Sequence, residues 1–251
     1  MNLLISGCSF THWPKAPGST INICWPSALQ KLNSNFNITN LAEPGAGNQY
    51  IANSVVNAVL TNPNHYDMVL VMWSGVSRLD FLTDLTDPAW HQLFDSYGFY
   101  RRLEQCPNKL GYIFSGGQLG PWTEHSAAKR MFAEQYKVSD HTSLGYINLI
   151  EIVKTQEFLK SQNIPYRFMS YVNYWTTGEH ISPNGDFGVM GYPELRPLID
   201  SIDFSPWIFH RDRECIYDLA KAADDYHGDR FHPGITTHQQ WADLVYQQIT
   251  C

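Results

Sequence analysis

The N-terminal part of the chain alternates short apolar runs with longer segments of helical period. Leu3-Leu4-Ile5, within residues 2–6, reads as a buried strand ending at Gly7. Residues 25–32 place Trp25, Ala28, Leu29 and Leu32 on one helical face. A short strand over about 37–42 leads into Glu43-Pro44-Gly45-Ala46-Gly47-Asn48, a turn by composition. Residues 49–60 carry Ile51, Val55 and Val59, with Ala52, Val56 and Leu60, at helical spacing, and Asp67-Met68-Val69-Leu70-Val71-Met72-Trp73 is the clearest buried strand. The order βαβαβ predicts a parallel sheet.

From Arg78 to about Gly145 the pattern gives way to aromatic, Gly- and Pro-containing sequence with helical fragments such as 126–136. That length exceeds a simple connection and is expected to form an inserted cap or lid. Periodicity returns with a helix over 147–162 and a fourth strand over 166–172 after Pro165. A second irregular stretch, 173 to about 212, is rich in Pro, Gly and Trp. The chain closes with a loop at 229–234 and a helix over 236–249, whose Trp241, Leu244, Val245 and Ile249 form an apolar stripe behind a Thr cap. The expectation is a three-layer α/β/α fold in a single domain, 1–251, with cap or lid insertions at about 78–145 and 173–212.

Composition narrows the function classes. The chain's 251 residues, 43% hydrophobic and 14% aromatic, suffice for a sizeable core. A net charge of −7 with only 17 Lys and Arg argues against nucleic acid or an anionic membrane as partner and favours a neutral or cationic small molecule. The N-terminus lacks a basic n-region and no long apolar window occurs, so a soluble, cytoplasmic location is expected. Five scattered cysteines without a CxxC pair indicate buried thiols, not a disulfide framework or a zinc site.

The chemistry lies at the two ends of the chain. Ser9 follows the first strand directly, which puts its hydroxyl at the sheet's C-terminal edge, where open α/β sheets place ligands. Asp229 and His232 are three residues apart, close enough for one turn to hold both, the carboxylate orienting an imidazole that takes the serine proton. Ser9, His232 and Asp229 thus supply nucleophile, base and orienter. Cys8 is read as a buried thiol and not as a rival nucleophile. The group Asp224, Asp225, His227, Asp229 and His232 lacks metal-ligand spacing, so no metal is expected. Gly45-Ala46-Gly47-Asn48 begins like a dinucleotide fingerprint but lacks the third glycine and follows the second strand, so no cofactor is expected. The Gly-x-Ser-x-Gly elbow is absent.

Gly7-Cys8-Ser9-Phe10, Asn40-Leu41-Ala42-Glu43-Pro44-Gly45 and Asp229-Arg230-Phe231-His232-Pro233 resemble the first, second and final blocks of the SGNH, or GDSL-like, hydrolases, among them uncharacterised bacterial and phage members with a Gly-Cys-Ser-Phe opening. The resemblance covers about half of the chain. It implies a flavodoxin-like sheet and ester hydrolysis, with Ser9 as nucleophile, and with the Gly45 N–H joining that of Ser9 in the oxyanion hole. The third block departs. Where the family carries Gly-x-Asn-Asp, this chain reads Trp73-Ser74-Gly75-Val76-Ser77-Arg78, without the asparagine that donates to the oxyanion. Ser74 or Ser77 could donate through a hydroxyl in its place, Asn48 or Asn173 from a neighbouring loop, and Arg78 could bring a charge; Asn48, Arg78 and Asn173 are also expected to reach the substrate, together with His12 and Trp13 beside the nucleophile. Aromatic segments at 116–122 and 171–175 suggest a carbohydrate ester, since sugars stack on rings and bond to amides. The alternative is a catalytically impaired protein on the same scaffold that binds or assembles glycans in a phage or surface-polysaccharide setting.

Overall fold

The computed structural model describes residues 1–12, 24–84, 86, 100–102, 110–117, 126–229 and 231–250. Four strands form a parallel sheet: β1 (Asn2–Ser6), β2 (Asn37–Asn40), β3 (Met68–Trp73) and β7 (Tyr166–Ser170), in the order β2-β1-β3-β7. β1 pairs Leu3 with Met68 and Ile5 with Asn40, and β3 pairs Val69 with Tyr166. Beyond β7 an isolated parallel bridge joins Phe168 to Trp207. All six residues of β3 are buried, as a strand covered on both faces requires.

Helices complete the layers. α1 (Trp25–Leu32) packs against the C-terminal α7 (Ile235–Thr250), and α2 (Asn48–Thr61) packs against α4 (His141–Ser161). The remaining helices are α3 (Ser126–Val138), α5 (Arg196–Asp200) and α6 (Ile216–Ala223). The three-layer α/β architecture with a parallel sheet is therefore as expected. α4 begins six residues before the expected start at 147, because Asp140 caps it by accepting from the Ser143 N–H at 2.7 Å. α7 is not capped by a threonine: Asp225, ten residues upstream of its start, accepts the Thr237 N–H at 2.6 Å.

Two regions differ from the expectation. The described part of 78–145 contains an antiparallel sheet in the order β4-β6-β5, from β4 (Asp80–Asp84), β5 (Tyr100–Arg102) and β6 (Leu110–Phe114). β4 exposes both Phe81 and Leu82 while burying Thr83, so its sequence carries no period-two signal. Residues 173–212 hold α5 and short 3₁₀ turns between irregular segments, and Tyr174, Trp175, Phe187, Val189, Leu195 and Trp207 belong to the same hydrophobic core as the sheet. Cys8, Cys24 and Cys215 are buried and not joined in disulfides, while Cys106 and Cys251 lie outside the described residues.

Candidate active site

Strand β1 ends at Ser6, and the chain turns at once, with the N–H groups of Thr11 and His12 both donating to the Cys8 carbonyl at 2.9 Å. This turn lifts Ser9 to the C-terminal edge of the sheet. The loop after α6 meets it there: Ser9 Oγ lies 2.8 Å from His232 Nε2, and His232 Nδ1 lies 2.5 Å from Asp229 Oδ2. Asp229 is held by its own turn, since its Oδ1 accepts the N–H groups of Phe231 and His232, each at 2.9 Å. The carboxylate on Nδ1 favours the tautomer with its proton there, which makes Nε2, facing Ser9 Oγ, the acceptor. The Phe10 ring, next to Ser9 in sequence, stands 5.1 Å from the imidazole and 4.4 Å from Tyr171, so the base rests on an aromatic floor.

Burial favours the neutral form of the His232 imidazole. Burial pushes His232 down to about 4, and the hydrogen bond and charge of Asp229, which act upward, do not outweigh it. Asp229 is itself held below the usual carboxylate range: burial acts upward, but the hydrogen bonds from Phe231 and His232 prevail. His238, buried in α7, is lowered to about 3, chiefly by burial. Both histidines bind fewer protons folded than unfolded between their depressed values and the ordinary value of about 6.5. Stability is therefore expected to fall as pH drops from about 6.5 toward 4, and Asp229 adds to the loss once pH falls below the ordinary carboxylate range. Denaturant titrations at about pH 7, 5.5 and 4.5 should show a falling midpoint, and a midpoint that stays constant would contradict this reading.

The second and third blocks are stitched together by side chains. Gly45 adopts a left-handed φ of 79°, which a side chain would strain. Among the described residues, no backbone hydrogen bond uses the N–H of Ser9 or of Gly45. Beyond Gly45, one peptide unit is gripped at both ends: the Ala46 carbonyl accepts from Arg78 Nη1 at 3.3 Å, and the Gly47 N–H donates to Asp80 Oδ1 at 2.7 Å. The other oxygen of Asp80 accepts the Tyr50 N–H at 2.7 Å, which caps α2 from a distant segment. Asn48 in turn holds Ser74, with Oδ1 accepting the Ser74 N–H at 2.7 Å and Nδ2 donating to the Ser74 carbonyl at 3.3 Å.

Beneath the third block, Asp186 is fully buried and accepts from the hydroxyls of Ser77 at 2.7 Å and Ser182 at 2.6 Å and from that of Tyr171. It sits so close to Gly75 that a Cβ there would meet Asp186 Oδ1 at 1.9 Å, which explains the glycine. Asp186 and Asp80 were not singled out from the sequence. Asp80 follows Arg78 by two residues and reads as part of a loop, while Asn184-Gly185-Asp186 signals a turn but not its partner.

The other expected site residues are placed unevenly. Among the described residues Ser74 Oγ is buried with no hydrogen-bond partner, sealed from the solvent side on which the expected donor role would place a substrate. Asn48 is likewise wholly buried, with both ends of its amide on Ser74, and braces the turn instead of facing a ligand. Arg78 is also buried, beneath the surface where substrate contact was expected. Asn173 Oδ1 accepts the Trp175 N–H at 3.1 Å in a local turn. Tyr171, Tyr174 and Trp175 are core residues, so the expected platform at 171–175 is not exposed to a sugar. His12 is partly buried beside the nucleophile turn, while Trp13 and residues 118–122 lie outside the described residues.

No protein-family model matches the chain, nor does any curated protein sequence. Solved structures do match in fold. TesA, at 9% identity, covers 100% of this chain and 98% of its own with a TM-score of 0.51. An acetyl xylan esterase, AlAXEase, at 12% identity, covers 99% and 100% with a TM-score of 0.50. A lipolytic G-D-S-L family protein from Veillonella parvula is 13% identical over 98% and 96%, with a TM-score of 0.48. With the sheet order β2-β1-β3-β7 and the first and final blocks meeting at its edge, the chain has the fold of the GDSL/SGNH hydrolases.

Proposed function

We propose that this chain is a serine ester hydrolase acting on a small carboxylic ester. The observation that carries this reading is the continuous hydrogen-bonded row Ser9 Oγ, His232 Nε2, His232 Nδ1 and Asp229 Oδ2 at the edge of the sheet. Ser9 Oγ forms a bond to the acyl carbon while His232 Nε2 takes its proton and the carbonyl π pair moves to the oxygen. The N–H groups of Ser9 and Gly45 receive that oxyanion. Collapse expels the alcohol, which takes the proton from His232, and water repeats the sequence in reverse on the acyl-enzyme.

An O-acetylated carbohydrate is the substrate class we place first. Beside the loop that carries Asp229 and His232 lies an open cleft of about 600 Å³ lined by Asp224, Tyr226, His227 and Gly228, a polar surface with one aromatic face. Turnover of an acetylated xylo-oligosaccharide and of nitrophenyl acetate should exceed that of nitrophenyl decanoate by about tenfold or more in kcat/KM, since a polar cleft gives a long acyl chain no burial. Preference for the decanoate would overturn the substrate class, and no turnover of any ester would overturn the hydrolase reading. In that event the absent third-block asparagine and the sealed Ser74 hydroxyl favour a glycan-binding protein on the same scaffold.

A further inference from the structure

We propose, on the hydrolase reading above, that Arg78 does the work of the missing oxyanion asparagine: as a positioning residue it holds the Ala46–Gly47 peptide, and its charge offsets the negative charge on the substrate oxygen. Arg78 is 3% exposed, its Nη1 donates to Ala46 at 3.3 Å, its side chain hydrogen-bonds Tyr171, and among the described residues its Nε has no hydrogen-bond partner. Among the described residues no carboxylate comes within 4.0 Å of it. Its Cζ lies over the Tyr171 ring, 5.2 Å from the centroid, and that ring meets Phe10, next to Ser9, at 4.4 Å with a 32° tilt.

A buried cation without an adjacent anion is costly unless something compensates it. Two acids act on the guanidinium from a distance and none in contact: Asp186, which also accepts from Ser77, Ser182 and Tyr171, and Asp80, which accepts from Gly47 and Tyr50. The field of Arg78 reaches both Cys8 on the nucleophile turn and His232. Nε is sealed from solvent, so the charge acts through a low-dielectric interior and not by contact. Such a charge favours the oxyanion over the neutral ester and therefore acts on kcat, not on KM.

The test compares wild type with Arg78→Met, Arg78→Gln and Arg78→Lys on a short-chain ester, and follows the His232 ring by NMR across pH. The uncharged variants should lose about 10²-fold in kcat, the scale of one oxyanion donor, with KM within about twofold, and Lys should restore most of the loss. The groups facing His232 are Asp229, Arg78, His227 and His238. Removing the Arg78 cation should move the His232 titration and the acidic limb of kcat/KM to higher pH, and Lys should hold both near wild type. An active wild type whose folded Met or Gln variant keeps kcat, or loses only KM, overturns this inference alone. Where neither uncharged variant folds, a folded Lys variant within about tenfold of wild-type kcat and with an unmoved His232 titration supports it, and an inactive or shifted one overturns it. A wild type without turnover overturns the hydrolase reading and this inference together.

Discussion

Replacing Ser9 with alanine is expected to lower kcat on a short-chain ester by about 10⁵–10⁶-fold, the scale seen when a serine hydrolase loses its nucleophile. Among the described residues the Ser9 hydroxyl bonds to His232, and alanine fits the same turn, so the fold should survive. What remains in the variant is binding and the two backbone N–H groups, which do not create an acyl-enzyme. Circular dichroism matching wild type, with turnover reduced to this extent, is the predicted pair of results. A folded variant that keeps more than about one hundredth of wild-type kcat would mean that Ser9 is not the nucleophile.

The second large effect concerns Asp229. Asp229→Asn is expected to cost about 10⁴-fold in kcat, because the amide changes which nitrogen of His232 carries the proton. Oδ1 of Asp229 already accepts two backbone N–H groups, so an asparagine keeps its oxygen there and turns its NH₂ toward His232 Nδ1. Nδ1 then becomes an acceptor, the proton moves to Nε2, and Nε2 no longer takes the proton of Ser9. Nitrogen NMR of the imidazole should show this exchange of tautomers alongside the loss of turnover. An unchanged tautomer with unchanged kcat would remove Asp229 from the mechanism.

How much of this was legible in the sequence depends on the range of the interaction concerned. The elements of the parallel sheet read well because β1 and β3 are buried along almost their whole length and α1 is amphipathic, so local pattern and tertiary environment agree. The Ser9, His232 and Asp229 row was legible because strand ends and a short turn fix where those residues go. The second-to-third-block stitching was not: Asn48 with Ser74, Arg78 with Ala46 and Asp80 with Gly47 are pairs some 30 residues apart that no local pattern encodes. For the same reason Asn48 and Arg78 were read as substrate contacts, since polar residues on a loop near a site look alike whether they face the ligand or the protein. Tyr171, Tyr174 and Trp175 show the converse, because an irregular backbone hid a stretch whose side chains belong to the core.

The central claim is that His232 activates Ser9. It is tested most directly by treating the protein with a fluorophosphonate and locating the adduct by mass spectrometry. The predicted result is one phosphonyl group, with loss of fluoride, on the peptide carrying Ser9, and about 10³-fold or slower labelling in His232→Ala. An unmodified protein, or an adduct elsewhere that forms equally fast without His232, would contradict it.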